Sequence, residues 1–426
     1  MFAGFCFNWT ETAEDTEPPR TTRMSVALPL DRVSVHAASS HSGRTERIAA
    51  VEWHRDFAAA EPIWRRLESE DALSTPYQTY DFLESWQRHV GRIGGVTPLI
   101  VTAYDPAGRP VLLWPLGYFD RGPLRTLQFL GGKHANINFG LWHREHAASI
   151  AASDIRFVIG RIAAGGHGID LVALHRQPAY WDGIANPLLL LPHQSSPSDC
   201  CHRNLGPSAD GMAGVQVSRS MRKQLRGKNR KLAELPGYRY FQVTTPGEVD
   251  RLLAWFFAVK AMHLAERGLA NVFAEPGIED FVRDLCHSGL AAGRPLAELH
   301  AIEGGGELLA VFAGTGDGRR FSSMFNSYTP GPLSRYSPGL VLLTHMVARL
   351  GERGFTCLDL GAGDAGYKRG FCREVEPLFD SFWPLTARGH LAAAGARPAT
   401  ALKRTIKHTP RLWSALQTVR RQVYAR

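Results

Sequence analysis

Asp359, Asp364, Tyr367 and Lys368 fall within ten residues of one another near the end of the 426-residue chain. Carboxylate, phenol and ammonium at that spacing are the parts of a site that moves protons and steadies charge. A lysine after a glycine-rich turn can hold phosphate or a developing oxyanion; its bland alternative is a solvated side chain. Tyr367, with an ordinary pKa of about 10, suits an acid better than a base, and packing is its competing role. Asp359 or Asp364 would take the proton of an attacking amine or hydroxyl if burial raised its pKa, although Asp364 could equally cap the helix that follows. A second cluster, Arg335 with Ser337-Pro338-Gly339, has the composition of a helix entrance. Pro338 suits the first turn because its missing N–H would be unpaired there, Ser337 is the expected N-cap, and the free N–H groups of such an entrance attract phosphate.

These clusters need elements to hold them. The aromatic-rich stretch 319–327 reads as a strand, 338–353 as a helix, and 355–360 as a buried strand ending in a glycine-rich turn that carries Asp364, Tyr367 and Lys368. Asp359-Leu360-Gly361-Ala362-Gly363 also looks like the first motif of an S-adenosylmethionine methyltransferase. That motif opens a doubly wound sheet needing several further βα units, and only 63 residues follow Gly363, fewer than an ordinary domain of about 100–150. The stretch therefore closes a domain that began earlier.

Strand, phosphate-ready helix start, helix and strand is the order in which GNAT-type acyltransferases hold the pyrophosphate of acyl-CoA. On Arg335-Tyr336-Ser337-Pro338-Gly339, Leu358-Asp359-Leu360-Gly361, the run 364–368 and the basic Ser218-Arg219-Ser220-Met221-Arg222-Lys223, the chain resembles the GNAT-like acyltransferases of cellulose and exopolysaccharide biosynthesis, the CelD/BcsL family, over about residues 50–388. Tyr367-Lys368-Arg369-Gly370-Phe371 is more distantly similar to a segment of the Fem-type aminoacyl-tRNA-dependent transferases, which share a doubled GNAT fold. The resemblance implies an α/β (α+β) protein of two tandem GNAT-like lobes with mixed sheets. It also implies acyl-CoA as donor, an amine or hydroxyl of a sugar or envelope precursor as acceptor, Arg335, Ser337 and Gly339 on the donor phosphates, and Tyr367 protonating the leaving thiolate. The chain departs from the standard GNAT phosphate motif: Arg335 precedes Gly339 by four positions rather than three, and Val341 stands where a small residue is usual. Aminoacyl-tRNA as donor, or a non-catalytic role in polysaccharide assembly, are the alternative readings.

Internal order supports a duplication. Helix 75–86, strand 99–103, a turn at 105–108 and strand 111–116 are echoed by helix 278–285, strand 296–302, a turn at 304–306 and strand 308–313. The expected organisation is a disordered segment 1–46, a first lobe 47–200, a linker near 195–214 rich in Pro, Ser, Asp and Gly, a second lobe 215–388 carrying the chemistry, and a basic tail 389–426. Pro187-Leu188-Leu189-Leu190-Leu191-Pro192 reads as a short strand. Leu252, Leu253, Phe256, Phe257, Lys260 and His263 recur at three and four, as on one face of a helix. The polar 134–138 after Gly131-Gly132 could line an acceptor cleft, and His345 reads as a core histidine.

A hydrophobic fraction of 44% allows each lobe a core. The net charge of +9 is patchy: seven Lys or Arg without an acid at 219–231, nine without an acid from Arg388 onward, and −7 over the remainder. The first run forms one helical face suited to an anionic partner, a sugar nucleotide, tRNA or polyanionic polysaccharide, and lacks the aromatics that RNA binding usually adds; DNA is not an expected partner. The second run, with Leu402, Ile406, Leu412, Trp413, Leu416, Val419 and Val423 among its cations, would lie at the inner face of an anionic membrane or dock on the protein itself. Six cysteines without C-x-x-C spacing fit reduced thiols and no metal site. With four acids among the first 17 residues and no apolar run of about 18, the reading is cytoplasmic, with Met1 or Met24 as the start.

Overall fold

In the computed structural model, residues 47–69, 72–205, 218–363, 366–372, 374–409, 411–413 and 416 are described. The 1–46 segment and Asp364 lie outside them. The first lobe begins with strand β1 (Ala50–His54) and helix α1 (Phe57–Ser69), then a short turn in which Thr75 accepts from the Tyr77 N–H and leads into α2 (Tyr80–Trp86). The hairpin of β2 (Thr97–Tyr104) and β3 (Pro110–Arg121) follows. Its turn forms because the Asp105 carboxylate accepts from the N–H groups of Ala107 and Arg109 at 2.9 Å, while Gly108 takes the positive φ of 75°. Strand β4 (Leu124–Phe129) then pairs in parallel with β5 (Leu171–Pro178), after a crossover through α3 (Ala152–Ala164).

The second lobe repeats this plan. After β6 (Cys200–Asn204) come the basic helix α4 (Arg219–Ala233), strand β7 (Arg239–Gln242), and helices α5 (Pro246–Glu266) and α6 (Ile278–His287). The hairpin of β8 (Glu298–Gly304) and β9 (Glu307–Gly316) leads into β10 (Arg320–Tyr328). Helix α7 (Pro338–Glu352) then crosses over to β11 (Cys357–Ala362), which pairs in parallel with β10. The chain closes with α8 (Gly366–Phe371), β12 (Glu374–Glu376), β13 (Leu378–Pro384) and α9 (Ala387–His408). Tyr367 and Lys368 thus lie on a short helix rather than in a turn.

The lobes are not consecutive pieces of chain. Strand β13, inside the expected second lobe, pairs antiparallel with β5 and extends the first sheet, while β6 runs antiparallel to β11 and β12 in the second. Part of the expected linker is therefore strand: Gln194–Ser195 pairs with β13, and Cys200 is fully buried. Its Pro and Ser content hides this because the pairing partners lie far away in sequence. The 187–192 run is also not a strand. Pro187 fixes the first φ of a 3-10 turn, and Asn186 accepts from the Leu188 N–H at 3.0 Å.

One apolar core spans both lobes, joining Trp64, Phe82 and Trp114 to Phe256, Phe281 and Phe325; a second covers the far face of the second sheet under α4 and α7. Ion pairs Lys133–Glu275 and Arg88–Asp284 (2.6 Å) cross the lobe boundary. Helix α9, where the basic tail was expected, packs its inner face on the first sheet; Arg404 pairs with Asp199 at 3.0 Å. Among the described residues no helix is long and apolar enough to cross a membrane.

Candidate active site

Strands β10 and β11 are in register only from Arg320 to Ser322 against Cys357 to Asp359. Beyond that they diverge, and the gap opens into a cleft between the end of β10, the first turns of α7, and α8. Asn326, Ser327, Tyr328, Gly339, Leu340 and Tyr367 are among its lining residues, and its volume is about 460 Å³ including space open to solvent. The divergence is held by the first lobe. Asn136 Nδ2 donates to Ser323 O at 2.7 Å, and Tyr77 Oη donates to the same carbonyl at 3.2 Å. Burial keeps the Tyr77 phenol protonated, with its pKa pushed well up. Opposite Asn136 is Gly361 at φ 76°, where a Cβ would come within 2.8 Å of Asn136 Nδ2; only glycine lets the wedge in. In the first lobe the equivalent gap between β4 and β5 is closed by its own loop, since Asn138 bonds to the carbonyls of His175 and Arg176.

On the donor side, Ser337 occupies the N-cap position of α7 but does not cap with its side chain. Its backbone is left-handed (φ 48°, ψ 56°), which turns the hydroxyl away from the helix N–H groups, and Lys228 Nζ of α4 donates to it instead. Pro338 stands in the first turn as expected, and the Gly339 N–H precedes the first intrahelical bonds, made by Leu340 and Val341 to Ser337 O. Arg335 is exposed, its guanidinium 4.9 Å from the Tyr336 ring centroid.

The candidate chemical residues are not all together. Gly339 and Tyr367 line the cleft; Asn326 Nδ2 donates to Tyr367 Oη at 3.5 Å. Lys368 is fully buried, its ammonium 3.4 Å from both Gly361 O and Ala362 O at the end of β11. Asp359 lies below the divergence with both oxygens engaged. It accepts from Arg320 Nη2 at 3.2 Å, Ser322 Oγ at 3.1 Å, Cys200 Sγ at 3.0 Å and the Gly361 N–H at 2.5 Å. Burial opposes the Arg320 cation, but Asp359 and its neighbours outweigh it and hold the guanidinium pKa up. The Asp359 carboxylate fastens β10, β11 and β6 at the point where the parallel pairing stops. His345 is hydrogen-bonded to Tyr238 and Asn229, both at 3.2 Å.

Sequence reasoning missed two residues that stand behind the cleft-lining Asn326 and Ser327. Lys260 and His263 of α5 are 3% and 6% exposed. Lys260 Nζ donates to Asn326 O at 3.2 Å, while His263 Nδ1 is 3.4 Å from Ser327 Oγ and its ring lies 4.8 Å from that of Tyr328. Burial first, then Arg267 and Lys260, disfavour the His263 cation against an opposing Glu266, so its pKa is lowered. The available signal was two polar side chains one turn apart on a stripe otherwise made of Val, Leu and Phe. The 134–138 segment does reach the site, as the Asn136 wedge.

Residues 219–369 match the model of the acetyltransferase (GNAT) domain family. FemX superposes with a TM-score of 0.52 at 9% identity, over 80% of this chain and 99% of that one. L-PGS from Bacillus licheniformis (TM-score 0.43, 11% identity, 79% and 99% covered) and a tandem GNAT protein from the clavulanic acid biosynthesis pathway (0.41, 14%, 79% and 99%) are similar in the same extended way. Compared by sequence with curated proteins, the chain matches none. The architecture is two tandem GNAT-like lobes with mixed sheets flanked by helices, an acyltransferase fold, and the matched domain contains the cleft.

Proposed function

We propose that the chain moves an acyl group from acyl-CoA to an amine or hydroxyl of a saccharide or envelope precursor. The observation that carries the reading is the divergence of β10 from β11 beside the N-terminus of α7. It offers an extended donor both a slot and a ring of N–H and cationic groups. The saccharide acceptor rests on the resemblance to the exopolysaccharide acyltransferases. The acceptor attacks the thioester carbonyl, the C–S bond breaks, and Tyr367 returns a proton to the sulfur. With Asp359 fully engaged, the acceptor's proton passes through Ser327 to His263.

His263, uncharged near neutrality, is ready to take that proton. The rate should therefore be full above its lowered pKa and fall as pH drops through it. His263→Asn is expected to lower kcat by about 10²-fold with little change in KM and to flatten the acid limb of the pH–rate profile; an unchanged acid limb would remove His263 from the proton path.

Arg335→Ala is expected to weaken acetyl-CoA binding by about tenfold, a charged hydrogen bond discounted for exposure, measured by calorimetry alongside a longer acyl-CoA. Saturable binding of the unaltered chain, weakened to that extent in the variant, supports the reading. A second reading, an aminoacyl-tRNA donor, is favoured by the seven cations of 219–231 beside the same helix entrance. Failure of every acyl-CoA to bind, with salt-sensitive tRNA binding in its place, would replace the first reading with this one.

A further inference from the structure

We infer that the outer face of α9 is a docking surface for an anionic lipid bilayer. The helix is fixed to the first sheet along one side only. Thr386 begins it, accepting from the Gly389 N–H at 3.2 Å while donating to Asp170 Oδ1 at 2.6 Å. Gly389 passes so close to Asp170 that a Cβ would lie 1.8 Å from the Asp170 carbonyl oxygen. Ala393 and Thr400 are buried on this side, and Arg404 and Lys407 reach Asp199 and Ser198.

The other side has no such covering. Leu391 and Leu402, 77% and 61% exposed, are the two most exposed large apolar side chains among the described residues. Eleven residues is close to three turns, so they share one stripe. Between them on that side lie Ala394, Gly395, Pro398 and Ala401, all exposed. Arg388 and Arg397 are exposed at its flanks, their guanidinium groups reaching back to Pro123 O at 3.1 Å and Phe382 O at 2.9 Å, and from Arg388 to the end of the sequence there are nine Lys or Arg and no acid.

Charge selects the occupant. A second copy docking α9 on α9 would set cations against cations with no acid in α9 itself to relieve them, Asp170 and Asp199 being already engaged by Arg388 and Arg404 of the same chain. A bilayer containing anionic lipid receives the leucines below its headgroups and the basic side chains among them. The helix lies on the surface, since its 22 residues are not apolar enough to span it.

The test is co-sedimentation of the full chain with vesicles of phosphatidylcholine, alone or with one third phosphatidylglycerol, at low and high salt. Sedimentation is expected with the anionic vesicles, weakened by salt and slight with phosphatidylcholine alone. Leu391→Glu with Leu402→Glu should weaken it by about tenfold or more at unchanged melting temperature, because neither side chain is packed. The inference is overturned if the unaltered chain does not sediment with anionic vesicles, if the double variant sediments equally, or if the chain runs as a dimer that the double variant abolishes. Acyl-CoA binding is independent of all these outcomes.

Discussion

Asp359→Ala is expected to destabilise the protein by about 3–5 kcal/mol, the usual consequence of removing one partner of a buried ion pair. Arg320, whose side chain is 12% exposed, would keep its charge without the carboxylate that compensates it. Cys200 Sγ, Ser322 Oγ and the Gly361 N–H would lose their acceptor at the same time. For interlocked lobes melting as one unit, unfolding entropy per residue converts this to a drop of about 5 °C in Tm, readable by calorimetry. Asp359→Asn, which retains acceptor oxygen, should lose less, and adding Arg320→Met to Asp359→Ala should recover part of the loss by removing the stranded charge. If Asp359→Ala melts normally yet loses turnover, the residue acts in the chemistry and not as a fastener.

If Lys368 serves as the oxyanion donor that its place after the glycine-rich turn suggests, Lys368→Met lowers kcat by about 10²–10³-fold, the scale of losing a preorganised donor, whereas its contacts to the Gly361 and Ala362 carbonyls alone give it a structural role. The alkyl stem is nearly conserved, so packing changes little. The Gly361 and Ala362 carbonyls each lose a donor, which bounds the stability loss at roughly 1–3 kcal/mol. Kinetics and melting are therefore read together. Unchanged kcat in a folded variant would reduce Lys368 to a clamp on the end of β11, and a fall in Tm far beyond that bound would say that the activity loss is unfolding.

How much of this was legible in the sequence depends on whether the deciding contacts are local. Strand 320–328, the helix opening at Pro338 and strand 357–362 follow from short-range pattern and the backbone limits of proline, and they emerge close to where the residues place them. The two hairpins follow from Asp and Gly turn chemistry in the same way. Ser337 shows the limit: its type announces a cap, but Lys228, 109 residues away, takes the hydroxyl. Asp359 reads as a base in isolation, and Arg320, Ser322 and Cys200 make it a fastener. Lys260 and His263 are concealed by an apolar stripe, since their meaning comes from Asn326 and Ser327 on a strand some 60 residues later. The exchange of β6 and β13 leaves no local trace because a strand's sequence does not state which sheet receives it.

That exchange also sets a schedule for the growing polypeptide. Until residue 384 is made, the first sheet lacks its β13 partner and presents β5 as an open edge. About 200 residues separate the two strands, so at roughly 5–20 residues per second the edge stays bare for on the order of 10–40 s. During that interval the nascent chain offers a template for stray pairing. Neither lobe can finish before both are almost wholly translated, so a ribosome stalled anywhere in the second lobe strands an unfinished first one.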